Sequence, residues 1–538
     1  MLSPLPVAES FTEEERRRLA PYFTNLDSDI FALTNLPETV KGALFARYSR
    51  SAKSLRRLFL DEFADKVSGP AEGALESGDV GVARAEKLFA KVFNEYGDDS
   101  VAQLGGAHIA CEYVSNVLTK ALEWGRLMAY LEQSTRYVPY TDRRNERWRY
   151  HVPAEIAGTP LADRFTSTMD AAFETYAKWI GPMQDYFAKR YPRSTTDSEA
   201  VHRSAIRAKA LDTLRGMLPA ATQSNLGIFG TGQAFEALLL RLRASPLAEA
   251  RDCADRMLVE LRKVIPAFLV RVDQPDRGGR WSDYFRDTRE RTAALAATLV
   301  DDVTSEPQDE VTLTDFDPDG EVKIVAAALY ASSSLPDSQL MTIARGLSTA
   351  DRVAVLRAYV GERTNRRHRP GRAFERTSYR FDVLTDYGAF RDLQRHRLLT
   401  LEWQPLSPRH GFVEPDAINA AGAADDWARV MDASADLHDA LVAAGYRDVA
   451  PYAVAMAYRV RFYMEMNARE AMHVIELRSA PQGHPAYRRV CQQMHTLIEA
   501  RAGHAAVAAA MQFTDHSEVE LERLGAERAL ERKRATLP

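Results

Sequence analysis

Arg395-His396-Arg397 is followed by Thr400, Glu402, Ser407 and Arg409, and seventy residues downstream the string Met466–Arg478 carries Asn467, Arg469, His473 and Arg478. Arginine suits phosphate because its planar fork donates paired charge-assisted hydrogen bonds and keeps its proton at working pH. On a helix, Asn467 and Arg478 share one face while Arg469 and His473, four apart, share another, so one helix can address two ligands or two subunits. Each residue also has an ordinary structural use. Arg447, Arg469 and Arg478 can pair with Glu465, Glu470 or Glu476, His473 suits an apolar helix face, and Ser134 and Arg136 can cap a helix.

The first half of the chain carries a weaker copy of the same pattern. Lys41–Ser49 echoes Lys323–Ala331, and Trp124-Gly125-Arg126 precedes Glu132-Gln133-Ser134-Thr135-Arg136-Tyr137 as Arg395-His396-Arg397 precedes its own loop. Arg215 lies four residues before Pro219, matching Arg447 before Pro451, and Phe229–Arg241 aligns without gaps to Met466–Arg478. Repetition at this period points to two tandem homologous domains.

The ordered motifs resemble the flavin-dependent thymidylate synthases (thymidylate synthase complementing proteins), whose signature runs Arg-His-Arg, Ser, Asn-Glu, Ser-x-Arg-Tyr and, later, an Asn-x-Arg helix ending in Arg. The resemblance implies an α+β fold of two tandem domains, helix-rich with an antiparallel sheet in each. It implies FAD held by Arg395, His396, Arg397, Asn467, Arg469 and His473. It also implies a nucleotide held by Ser407, Arg409, Arg447 and Arg478 and by the first copy's Glu132, Ser134 and Arg136. Arg478 is the catalytic residue it implies, polarising a uracil carbonyl without a protein nucleophile. The implied reaction is FAD-dependent reductive methylation of dUMP to dTMP with methylenetetrahydrofolate and NADPH, in a homodimer that forms a pseudo-tetramer.

The copies have lost different residues. Trp124-Gly125 replaces Arg-His in the first copy, and Gly230, Gly232 and Glu236 stand at the Asn, Arg and His positions, yet the Glu132–Tyr137 loop is kept. The second copy keeps the flavin motif, but Pro405 stands at the Ser position, Ser407-Pro408-Arg409 follows two residues late, and Arg376 replaces the usual His after Glu375. These departures leave open a reaction on another pyrimidine nucleotide, or a catalytically silent nucleotide- or flavin-binding scaffold. If second halves pair with each other, one set of sites keeps all the flavin groups and the other is dead. If first and second halves face each other, each site receives one intact half; the sequence does not choose between the two.

The 538 residues, 46% hydrophobic and 27% charged, provide ample core for several domains. A net charge of −5 argues against a general nucleic-acid or membrane-surface binder. Cys111, Cys253 and Cys491 lack metal-ligand spacing, and no metal is expected. With no apolar start at Met1–Pro6 and no apolar run of spanning length, the expectation is a cytoplasmic protein that contacts no membrane. The expected organisation is a degenerate domain over 1–275 with an insertion at about 141–200, a linker helix region over 276–308, and a flavin-motif domain over 309–538. Helices are expected at 11–20, across 36–140 (with Ser115–Tyr130 buried), at Asp283–Val300 and at Val519–Arg534, and strands at Val311–Phe316 and Tyr379–Val383.

Overall fold

A computed structural model describes residues 9–28, 30–48, 51, 53–66, 103–144, 146–300 and 303–536. The expected helical pattern over 67–102 and the repeat residue Ser49 lie outside the described residues. The chain divides into two compact units. The first comprises 1–111, 127–131 and 226–302; the second comprises 112–126, 132–225 and 303–538.

In the first unit, helix α1 (Glu13–Leu19) opens with a capping box between Thr12 and Glu15, and α2 (Glu38–Tyr48) follows. A three-stranded sheet has the order β1 (Gly106–Ser115), β3 (Gln223–Thr231), β2 (Met128–Glu132), and the chain passes between the units within these strands. Only Asn116–Leu122 (α3) of the expected Ser115–Tyr130 helix is helical, with Ser115 as its N-cap. Gly125 interrupts the helical pattern, and Met128–Glu132 is too short an apolar run for periodicity to distinguish strand from helix.

The second unit carries the long helix α4 (Pro160–Arg190) within the 141–200 stretch, then α5 (Glu199–Leu214). In the first unit, α6 (Gly232–Arg243), α7 (Ala248–Leu261) and α8 (Arg280–Val300) follow. The expected helix at Asp283–Val300 falls inside α8.

The remaining elements belong to the second unit. A four-stranded antiparallel sheet has the order β4 (Val311–Phe316), β5 (Ser378–Asp386), β7 (Arg459–Asn467), β6 (Thr400–Trp403). Tyr379, Phe381 and Val383 alternate into the core opposite Val460, Phe462, Met464 and Met466. On the other face Arg380 pairs with Glu465 at 3.0 Å and Arg461 with Asp382 at 2.8 Å, so register is held from both sides. Helices α9 (Gly320–Tyr330), α10 (Asp337–Gly346), α11 (Thr349–Val360), α12 (Tyr387–Leu393), α13 (Ala424–Ala443), α14 (Ala468–Arg478), α15 (Pro485–Ala500) and α16 (Leu524–Thr536) accompany it, with short helical segments at Asp416–Ala420 and Ala505–Ala510. The fold is α+β, helix-rich with two sheets.

Residues of both sequence halves build this unit. The segment Gly216–Thr222, which follows Arg215, pairs with Tyr452–Ala457, which follows Arg447: Met456 N donates to Leu218 O at 2.9 Å, Ala457 N to Gly216 O at 3.0 Å and Ala220 N to Val454 O at 2.8 Å. Matching pieces of the repeat thus lie against each other. A Cβ on Gly216 would stand 2.6 Å from Trp427, so this approach requires glycine.

Candidate functional site

The signature triplet follows a strand-to-helix junction. β5 ends at Asp386, whose Oδ1 caps α12 by accepting from Ala389 N at 2.9 Å. α12 then projects Arg391 and, just past it, Arg395 toward Glu132 at the end of β2. Glu132 is fully buried and accepts from Arg391 Nη2 at 2.9 Å and from Arg395 Nη2 at 2.6 Å. Lys120 Nζ lies 3.4 Å away and also donates to Glu123. Burial pushes the Glu132 carboxyl up, but Arg391, Lys120 and Arg395 overcome it and hold the group well below the usual carboxylate range. Glu123, with less compensation, is raised by burial.

Asp392 forms the second centre. Its carboxylate lies 3.6 Å from Arg395, 3.7 Å from Arg478 and 3.8 Å from Arg215, close enough for strong attraction but outside hydrogen-bond range. Against the cost of burial, these arginines together with Arg136 hold Asp392 down to about 2. Arg136 is itself clasped: Nε and Nη2 donate to Asp212 at 2.8 and 2.7 Å, and Nη1 donates to the Tyr487 hydroxyl at 3.0 Å. Among the described residues, buried nitrogens of Arg215 (Nη2), Arg391 (Nε) and Arg395 (Nε) have no hydrogen-bond partner.

A third cluster lies along α14. Asn467 ends β7 and caps the helix, its Oδ1 accepting from Glu470 N at 2.9 Å. The first copy's corresponding cap is Thr231, which accepts from Ala234 N at 3.3 Å. The structural junctions are therefore one residue out of step with the gap-free alignment. A cap needs a side-chain oxygen, which Gly230 lacks, and the cap at this junction is retained.

His396 Nε2 accepts from Arg478 Nε at 2.9 Å, and His473 Nδ1 accepts from Arg369 Nη2 at 2.7 Å; the two rings meet edge-on at 5.4 Å. Burial and the neighbouring arginines push His396 well below its ordinary value and His473 down to about 4. Burial raises Glu470 to about 7 despite Arg369, Arg469 and Arg397. The donor atoms of His396, Glu470 and His473 all lie within 4.8 Å of one another, the spacing of a potential metal triad. Both histidines already accept from guanidinium groups, however, and the surrounding arginines repel a cation, so the electrostatics favour an anion here.

The structure thus brings Arg395, His396, Asn467, Arg469, His473 and Arg478 into one unit with Glu132 and Arg136 from the first half. Ser134 lies in the same loop, its Oγ accepting from Arg136 N at 3.2 Å. Ser407, Arg409 and Arg447 form no hydrogen bond or ion pair with these clusters among the described residues. Ser407 precedes the turn Pro408–His410, which joins the first residue of β7 through Arg459 N donating to Gly411 O at 3.0 Å. Arg447 is exposed in the loop after α13.

The reciprocal junction is built around two tryptophans. Trp124 Nε1 donates to Leu401 O at 3.1 Å, Arg126 Nη2 donates to Thr400 Oγ1 at 3.1 Å, and Trp124 packs edge-on to Trp403. Lys120, Asp212, Arg215, Arg391, Asp392 and Tyr487 were not among the candidate residues. Arg391 and Asp392 carried a signal, since they lie four and three residues before Arg395 on a helical repeat; Lys120, Asp212 and Tyr487 meet the site only through tertiary contacts.

The description "Thymidylate synthase complementing protein" matches residues 45–267 and 312–502. A UPF0159 protein of Chlamydia muridarum (strain MoPn / Nigg) is 38% identical over 517 residues, covering 96% of this chain and 97% of that protein. A UPF0159 protein of Thermoplasma acidophilum is 29% identical over 514 residues, covering 90% and 97%. A flavin-dependent thymidylate synthase of Clostridium tetani is 26% identical over 181 residues, covering 33% and 67%. With the family description spanning most of its length in two stretches and a full-length relative above thirty per cent identity, the chain belongs to the thymidylate synthase complementing protein family.

Proposed function

We propose that the chain is a composite, tandem flavin-dependent thymidylate synthase, with domains over 1–275 and 309–538, that reductively methylates dUMP using methylenetetrahydrofolate and NADPH. The observation that carries this reading is the charge around Asp392. Lys120, Arg136, Arg215, Arg391, Arg395 and Arg478 outnumber the carboxylates they face, Glu123, Glu132, Asp212 and Asp392, and three of these arginines keep a buried nitrogen without an acceptor among the described residues. A buried cationic excess is costly without an anion, and a phosphate monoester dianion matches it in sign and size.

In this reading Arg136, Arg215 and Arg395 hold the nucleotide phosphate from both halves of the repeat. Arg478, fixed by His396 and facing Asp392, stabilises developing negative charge on the pyrimidine carbonyl. The cationic surroundings of His473 fit the diphosphate of FAD, held by Arg397, Asn467, Arg469 and His473. When bound, the flavin supplies the hydride chemistry, while the protein provides binding and orientation. The active species is a cytoplasmic homodimer.

Equilibrium binding of dUMP against deoxyuridine tests the phosphate assignment. The nucleotide is expected to bind about 100-fold more tightly, as two charge-assisted hydrogen bonds imply; equal affinities would refute it. A silent binding scaffold is the second reading, favoured by the complete pairing of Arg136 with Asp212 and Tyr487. Growth of a thymidine-requiring strain on thymidine-free medium supports the enzyme, and failure to complement with tight dUMP binding retained supports the scaffold.

A further inference from the structure

The segment between α11 and the turn Arg372–Arg376 holds Arg363, Arg366, Arg367, Arg369 and Arg372 within ten residues. It is anchored at both ends. Arg363 is buried, and its Nη1 and Nη2 donate to Glu476 on α14 at 2.7 and 2.6 Å. Its Nη1 also donates to Ala510 O at 2.6 Å, and its Nε closes the loop onto His368 O. At the other end Arg469 Nε donates to Pro370 O at 2.9 Å.

Between the anchors, Arg366, Arg367 and Arg369 form no ion pair with a carboxylate among the described residues. The acceptor of Arg369 is the neutral imidazole of His473 at 2.7 Å, a weaker partner for a guanidinium than any oxyanion. The buried bidentate pair thus anchors a loop that holds Arg366 and Arg369 beside His473 with no carboxylate partner among the described residues.

We propose that the loop Arg363–Arg372 is a preassembled diphosphate clamp in which Arg366 and Arg369 grip the diphosphate of a dinucleotide seated over His473. The assignment deepens the flavin reading, since the clamp faces the same helix, but it rests on residues outside the signature motifs. Arg369 exchanges its imidazole acceptor for a phosphate oxygen on binding, and no covalent step is involved.

The test uses the full chain and measures binding of FAD, ADP, inorganic pyrophosphate and inorganic phosphate to the wild type and to Arg366→Ala/Arg369→Ala, with dUMP binding and circular dichroism as controls for folding. ADP, pyrophosphate and FAD are expected to lose about tenfold or more in the double variant, with dUMP binding unchanged. Partial recovery in Arg366→Lys/Arg369→Lys supports a charge-based clamp. Unchanged ADP and FAD affinity in the Ala variant overturns the proposal, as does phosphate binding as tightly as pyrophosphate and ADP. Loop-dependent ADP binding without FAD binding refutes the flavin assignment alone and leaves the clamp standing.

Discussion

Glu132, which closes β2 in the first half of the repeat, accepts a 2.6 Å hydrogen bond from Arg395, the first residue of the signature triplet in the second half. Arg391 occupies the other carboxylate oxygen at 2.9 Å. The surviving loop of one copy therefore meets the surviving triplet of the other, while Trp124 and Trp403 fill the reciprocal junction. Divergent losses in the two copies are compatible with one complete site because the halves contribute to it jointly.

Glu132→Gln keeps the size of the side chain but leaves Lys120, Arg391 and Arg395 without their shared anion. Removing one partner of a buried ion pair costs about 3–5 kcal/mol. Urea denaturation should show that loss, and a change below about 1 kcal/mol would contradict the role assigned to Glu132.

Asp392→Asn removes a carboxylate that competes with any bound phosphate for Arg215, Arg395 and Arg478. The expected result is about tenfold tighter dUMP binding, equivalent to about 1.4 kcal/mol, accompanied by lower stability of the unliganded protein. Weaker dUMP binding in a well-folded variant would show that Asp392 supports the nucleotide site rather than opposing it.

Glu470 and His473 predict opposing pH effects on stability. Glu470 is raised to about 7, so its contribution is present below the unfolded carboxylate value and is lost as pH rises through 7. His473 is lowered to about 4, so its contribution is present above the unfolded imidazole value and is lost as pH falls toward 4. The two effects offset each other between about pH 4.5 and 6.5. Glu470→Gln should therefore make stability rise by about 1–2 kcal/mol across that window, after allowance for the partial exposure of His473. A titration of melting temperature identical to that of the wild type would count against it.

Glu476→Ala should release the basic loop. Leaving Arg363 buried without its carboxylate costs about 3–5 kcal/mol, and hydrogen exchange should show faster amide exchange over residues 363–372. Full protection of that segment in the variant would place its rigidity elsewhere.

Gly216→Ala tests the pairing of Gly216–Thr222 with Tyr452–Ala457. The added methyl would meet Trp427 at 2.6 Å and Ala457 at 3.0 Å. Overpacking of this kind costs about 1–3 kcal/mol, measurable by thermal unfolding; a neutral effect would mean that Trp427 moves aside without strain.

Much of the architecture was legible in the chain. The alternation in Val311–Phe316 and Tyr379–Val383, the helix preceding Val300, and the duplication itself follow from periodicity and repeated residue order, which are local properties. The Ser115–Tyr130 stretch departs from the expected single helix because its apolar residues fit equally a helix followed by a short strand. The helix caps Thr231 and Asn467 stand one residue out of step in the gap-free alignment, because sequence similarity does not record which side chain accepts from the helix amides.

Residue types and their order determined that this protein carries two copies of one family's motifs, each decayed differently. Which motif residues share a site was decided by the tertiary structure. Glu132 and Arg136 join Arg395 and Arg478, while Ser407, Arg409 and Arg447 form no hydrogen bond or ion pair with them among the described residues. The physical reason is that a buried carboxylate must find cations wherever the packing supplies them. Lys120, Arg391 and Arg395 reach Glu132 only because α3, α12 and β2 converge, an arrangement that spacing along one chain does not encode.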